Sequence, residues 1–181
     1  MNRTLYLGGA RSGKSSLAES SLQDFNVTYV APGKTYPADP EWQDRVQVHQ
    51  RRRPDHWHTI ETADLVGVIA EATPESPVLI DCLTLWLTAV LDDLHAWDID
   101  EATAMLVAQP RIDALRNSIQ TCRGGVVLVS NEVGSGVVPS TSSGRMFRDL
   151  LGICNASVAS ACDEVYLVVA GLPLKLKGSR R

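Results

Sequence analysis

Short, unbroken apolar runs alternate along this chain with longer segments whose apolar residues recur at helical spacing. Thr4–Leu7, Val27–Ala31, Val78–Asp81, Val126–Ser130 and Val165–Ala170 read as strands. Several are β-branched almost throughout, as expected of strands covered on both faces. Lys14–Leu22, roughly Pro40–Arg51, Asp64–Glu71, Leu83–Leu91, Asp100–Cys122 and Arg145–Ser160 read as helices. Strands separated by helix-length segments pair in parallel through right-handed crossovers. The pattern therefore predicts a single α/β domain over residues 1–181, with one open, mostly parallel sheet and helices on both faces. His95–Asp100 and Val133–Gly144 read as loops. The second holds three glycines, a proline and a Ser/Thr run, which predicts a mobile surface loop. Ligands of such sheets bind beyond the carboxyl ends of the strands, where Gly33 and Asn131 fall.

Composition narrows the class. At 181 residues, 44% hydrophobic and 21% charged, the chain is long enough for one real core. A formal net charge of −4 argues against non-specific nucleic-acid binding. The four cysteines, Cys82, Cys122, Cys154 and Cys162, form no CxxC pair, which argues against zinc and for free thiols in a reducing compartment. Met1–Leu7 is too short and too weakly basic for a signal peptide. No stretch reaches the roughly 18 apolar residues of a membrane span. A soluble, cytoplasmic protein is expected.

Gly8-Gly9-Ala10-Arg11-Ser12-Gly13-Lys14-Ser15 matches G-x-x-x-x-G-K-[ST] in full and sits between an apolar run and an amphipathic segment. Its glycines let backbone N–H groups curl inward around phosphate oxygens, and the next helix adds the positive end of its dipole. Lys14 is placed to reach the β and γ phosphates, and the Ser15 hydroxyl to ligate Mg²⁺. The second metal partner should be an acid at the end of an apolar strand, and Asp81 closes Val78-Leu79-Ile80. Asp81 could instead simply cap the helix that follows.

Arg45 and His49 are four apart and share a face if their segment is helical. Arg51, Arg52 and Arg53 follow, and Pro54 ends any helix. Arginines beside a histidine keep its imidazole neutral, and a neutral imidazole can attack phosphorus. The same cations would stabilise charge on phosphoryl oxygens. His49 is thus a candidate nucleophile, although a histidine on a polar helix is commonly just solvated. His56, His58 and His95 lack the partners of a metal site.

These residues resemble the adenosylcobinamide kinase/guanylyltransferase family of cobalamin assembly. Gly8–Ser15 looks like its phosphate loop. Arg45-Val46-x-x-His49, with Arg53-Pro54-x-x-Trp57-x-Thr59-x-Glu61, resembles its guanylylation segment. Asp81–Leu87, Asn131–Pro139, Arg145–Asn155 and Gly171–Lys177 continue the match, in order, over nearly the whole chain. The resemblance implies a RecA-like P-loop fold, a homotrimer and a corrinoid substrate. It implies phosphorylation of the adenosylcobinamide hydroxyl by GTP or ATP with Mg²⁺, then transfer of GMP through guanylylated His49. It further implies nucleotide contacts at Gly8–Ser15, at Ala31, Pro32 and Gly33, at Gln50, Arg51, Arg52 and Arg53, and at Glu61 and Asp81.

The chain departs from the family at Pro32, where a threonine is usual, at Ala156, where a glutamine is usual, and at Trp42, where a methionine is common. Proline removes an N–H donor and a hydroxyl. Two other readings of the phosphate loop remain open. One is a P-loop kinase for another small alcohol, without a covalent histidine. The other is a GTP-dependent switch, which the absence of an Asn/Thr-Lys-x-Asp motif disfavours.

Overall fold

The apolar runs form the centre of a sheet. In chain order the elements are β1 (Arg3–Gly8), α1 (Lys14–Ser20), β2 (Thr28–Ala31), β3 (His58–Glu61), α2 (Leu65–Ala70), β4 (Val78–Asp81), α3 (Leu83–Asp93), α4 (Glu101–Thr121), β5 (Val126–Asn131), α5 (Ser142–Ala161), β6 (Glu164–Val169) and β7 (Leu172–Lys177). The computed structural model describes residues 2–33 and 53–179. The helix expected over Pro40–Arg51 lies outside them.

The sheet order is β3-β2-β4-β5-β1-β6-β7. Every neighbouring pair is parallel except β6 and β7. Alternation along the strands sorts their side chains. Leu5, Val30, Ile80 and Leu128 face a core shared with α2, α3, α4 and α5. Tyr29, Leu79, Val127 and Val129 face a smaller core with Ala18 of α1, Leu22 and Trp57. Both faces are therefore covered, as the unbroken apolar runs require. In α4 the fully buried residues are Ala104, Ala108, Ile112, Leu115 and Ile119, one stripe of a 3.6-residue period. Asp100 caps that helix by accepting from Thr103 N at 3.0 Å.

Besides shifts of one or two residues at element ends, the structure differs from the sequence reading in two strands and in the start of one helix. β3 was not expected because His58-Thr59-Ile60-Glu61 has one apolar residue; it is an exposed edge strand. β7 carries Pro173, which reads against a strand, yet an edge tolerates a residue with no N–H to give. α5 starts at Ser142 rather than Arg145, because the Thr141 side chain accepts from Gly144 N and closes the first turn. The residues 142–144 expected as loop are thus helical. The four thiols are free as expected, with Cys154 and Cys162 buried. Among the described residues no helix is long and apolar enough to cross a membrane.

Candidate functional site

β1 ends at Gly8 and the chain turns sharply there. A Cβ on Gly8 would fall 2.5 Å from Ser12 Oγ and 2.6 Å from Val168 O. The turn then uses left-handed backbone at Arg11, φ 56°, and at Gly13, φ 94°. Ser12 N donates to Gly9 O at 3.3 Å, and Leu17 N to Gly13 O at 3.1 Å as α1 begins. The Lys14 side chain folds back into the loop, where Nζ donates to Gly9 O at 3.1 Å. Burial lowers the Lys14 pKa, and the nearby Cys82 and Asp81 oppose that shift. Ser12 Oγ is buried without a hydrogen-bond partner among the described residues.

The loop is braced from behind. The turn between β6 and β7 has positive φ at both central residues, Ala170 at 51° and Gly171 at 79°, which suits the twist of a tight hairpin. Gly171 N donates to Ser12 O at 2.8 Å. A Cβ on Gly13 would come within 3.1 Å of Gly171 Cα.

Asp81 ends β4 two residues after Leu79, so it projects to the α1 side of the sheet, the side of Lys14. The Tyr29 hydroxyl donates to Asp81 Oδ2 at 3.2 Å. Burial raises the Tyr29 phenol well above its usual range, and the Asp81 charge adds to this while Arg53 opposes it. Tyr29 is therefore held protonated, as a donor. Burial and then Asp81 push the Cys82 thiol up to about 11, so Cys82 is not a thiolate nucleophile at neutral pH.

Arg53 lies on the same face. Its guanidinium carbon sits 3.4 Å from the Tyr29 ring centroid, and Nη1 donates to Thr59 Oγ1 at 3.1 Å. Thr59 is the register partner of Tyr29, and Glu61 that of Ala31. Pro32 is buried and Glu61 is exposed at the end of β3. Gly33 packs on α3, where a Cβ would lie 3.2 Å from Leu85 Cδ1. Gly8–Ser15, Ala31–Gly33, Glu61 and Asp81 thus lie at or just beyond the carboxyl ends of parallel strands, and Arg53, which precedes β3, reaches the same face of the sheet over the Tyr29 ring. His49, Gln50, Arg51 and Arg52 lie outside the described residues.

The sequence reading passed over Tyr29, and it quoted Thr84 and Asn155 within longer motifs without giving either a role. Thr84 Oγ1 accepts from Asn131 N at 3.2 Å, and Asn155 Nδ2 donates to Asn131 O at 3.0 Å. A polar Asn155 on the apolar stripe of α5 was the available signal. The rim beyond β5 is tied down by α5. Arg148 Nη2 donates to Gly134 O at 3.0 Å, and Arg145 Nη1 to Pro139 O and Ser140 O at 3.1 and 2.8 Å. Val137 nevertheless stands 95% exposed.

Chemically, the loop offers inward N–H groups and one buried ammonium to a polyphosphate. Mg²⁺ in such sites takes one or two protein oxygens with phosphate oxygens and waters. The Ser15 hydroxyl and the Asp81 carboxylate, on the Lys14 side of the sheet, fit that donor set.

The chain matches the family described as "Cobinamide kinase / cobinamide phosphate guanyltransferase" over residues 4–176. It is 37% identical over 182 residues to the bifunctional adenosylcobalamin biosynthesis protein CobU of Escherichia coli K12, covering 96% of this chain and 98% of that one. It is 39% identical over 182 residues to the bifunctional adenosylcobalamin biosynthesis protein CobP of Pseudomonas aeruginosa, covering 97% and 98%. Among solved structures, a type III secretion system ATPase of pathogenic bacteria aligns with a TM-score of 0.57 at 12% identity. That alignment covers 96% of this chain and 56% of the ATPase. A Pyrococcus horikoshii OT3 protein aligns with a TM-score of 0.55 at 9% identity, covering 99% of this chain and 87% of its own. These likenesses are of fold, one α/β domain built on a mostly parallel sheet.

Proposed function

The chain belongs to the cobinamide kinase / cobinamide phosphate guanyltransferase family, and we propose that the phosphate loop and the histidine segment divide that family's two reactions between them. The protein is a kinase and a nucleotidyltransferase of cobalamin biosynthesis. It phosphorylates the aminopropanol hydroxyl of adenosylcobinamide with a nucleoside triphosphate. It then transfers GMP from GTP to adenosylcobinamide phosphate, giving adenosylcobinamide-GDP and pyrophosphate.

In the first step the substrate hydroxyl attacks the γ-phosphorus, and the nucleoside diphosphate leaves. Such transfers need positioning and charge stabilisation more than covalent chemistry. Gly8–Ser15 cradle the phosphates and Lys14 neutralises the developing charge. Ser15 and Asp81 would hold Mg²⁺, which when bound offsets phosphate charge. In the second step the His49 imidazole attacks the α-phosphorus of GTP, forming a P–N bond as the bond to pyrophosphate breaks. An oxygen of the corrinoid phosphate then attacks that phosphorus and releases His49. Two displacements replace one difficult one. Ala31, Pro32, Gly33, Gln50, Arg51, Arg52, Arg53 and Glu61 supply the remaining nucleotide contacts, and GTP or ATP serves as the kinase donor.

One observation supports this reading above the others. Arg53, four residues after His49, rests on the face that also carries Asp81, beside the phosphate loop. The testing experiment is incubation with Mg²⁺ and GTP radiolabelled on the α-phosphate. Acid-labile, alkali-stable label should appear on the protein and leave it when adenosylcobinamide phosphate is added. A protein that binds GTP but takes no label would instead be a P-loop kinase alone.

The rim after β5 is the corrinoid-binding surface in this reading, because Val137 and Val138 are 95% and 59% exposed in the segment that follows the carboxyl end of β5. Deleting residues 134–138 should raise the KM for the corrinoid about tenfold, the worth of roughly one lost apolar side-chain contact, and spare the covalent label. Unchanged corrinoid kinetics would remove the idea.

The protein works in the cytoplasm as a homotrimer in this reading. Val169, Leu172, Leu174 and Leu176 stand 60%, 73%, 59% and 57% exposed along the β6–β7 edge, and an apolar edge strand is a surface that pairs or is covered. Leu174→Asp should sediment as a monomer, where the parent protein sediments as a trimer.

A further inference from the structure

Tyr29 touches both halves of the proposed nucleotide site, and the established reactions leave it without a role. It lies 2% exposed on β2, between β3 and β4, so its position is set by the sheet. Packing alone would be served by phenylalanine. A buried hydroxyl costs free energy unless it finds a partner, and here the partner is the carboxylate of Asp81 at 3.2 Å. The ring has a second partner, the guanidinium of Arg53 stacked 3.4 Å from its centroid. Thr59, beside Tyr29 in register, holds the same guanidinium through Nη1.

We propose that Tyr29 is a positioning residue that sets Arg53 through its ring and Asp81 through its hydroxyl, so that the two halves of the nucleotide site are held in one geometry. A long arginine side chain loses rotamer freedom when it engages a ligand. Stacked on Tyr29 and tied to Thr59, Arg53 has met that loss in advance. The hydroxyl performs the matching task for Asp81. It engages Oδ2 and limits the rotations open to a carboxylate that would otherwise turn freely at a strand end.

The inference rests on the nucleotide site proposed above. Its test is GTP binding by calorimetry with and without Mg²⁺, alongside thermal melting, for the parent protein, Tyr29→Phe and Tyr29→Leu. The phenylalanine variant keeps the ring and loses the donor. The gain in GTP affinity that Mg²⁺ confers should shrink about tenfold, as for a lost hydrogen bond to a charged group. The leucine variant also loses the ring, and its Mg²⁺-free GTP affinity should fall a further factor of roughly five. A purely structural role would lower the melting temperature and leave the Mg²⁺ gain unmoved.

Equal Mg²⁺ gains in the parent and Tyr29→Phe proteins overturn the inference. So does equal Mg²⁺-free binding by the phenylalanine and leucine variants. Should the leucine variant fail to fold, the phenylalanine comparison still decides. A parent protein that binds no GTP at all overturns the nucleotide site itself, an outcome distinct from failure of the Tyr29 role alone.

Discussion

His49→Ala, incubated with Mg²⁺ and GTP labelled on the α-phosphate, should carry no acid-labile label. It should still phosphorylate adenosylcobinamide. The two outcomes separate because the reactions use different atoms of the nucleotide. The kinase step breaks the bond to the γ-phosphorus and needs the phosphate loop. Guanylyl transfer breaks the bond to the α-phosphorus and needs a nucleophile whose adduct is labile. Removing a covalent nucleophile costs on the order of 10³-fold or more in rate, since the remaining groups can only bind and polarise. The measurement is a pair of time courses on the same preparation, label on protein and phosphate on corrinoid. Label at the parent level on His49→Ala would move the nucleophile elsewhere. Loss of both activities would mean that the substitution had disturbed the nucleotide site as a whole.

Lys14→Met should fail in both reactions. Lys14 is 8% exposed, and its ammonium already donates to Gly9 O inside the loop. Methionine keeps most of the length and removes the charge. In a buried site a preorganised cation stabilises developing phosphoryl charge at no reorganisation cost, and its loss should lower kcat of the kinase step about 10²–10³-fold. The covalent label should fall as well, because GTP is no longer anchored while His49 attacks. GTP affinity, measured directly, distinguishes weak binding from slow chemistry. Phosphorylation within tenfold of the parent rate would place the essential cation elsewhere, with the arginines of the histidine segment as the first candidates. Together the two variants form a contrast: one loses a single reaction and the other loses both.

The phosphate loop was legible because its chemistry is local. Eight consecutive residues fix their own turn, and Gly8 and Gly13 show why glycine is needed at each. Asp81 was legible for a related reason, since an acid that ends an unbroken apolar strand must lie at the ligand-binding edge. The central strands followed from their β-branched runs. β3 and β7 did not, because edge strands need little burial and so carry little apolar signal; Pro173 even argues against a strand. The links between distant segments were also illegible. Tyr29 reads as one more core aromatic, and only the register of β2 with β3 and β4 sets it between Arg53 and Asp81. The brace of the loop by Gly171 depends on a hairpin that the sequence pattern did not reveal.

That brace bears on how the protein is made. Synthesis runs from the amino end, so Gly8–Ser15 leave the ribosome well before Gly171. The turn at Ala170–Gly171, whose N–H holds Ser12 O, follows only after six strands of the sheet have been translated. β1 itself is central, and its neighbours β5 and β6 are also late in the chain. A growing chain therefore carries every residue of the phosphate motif long before it carries the framework that shapes it. Nascent chains released before residue 171 should not be retained on immobilised GTP, while the finished protein is. Competence to hold nucleotide thus arrives only once the β6–β7 turn has been translated.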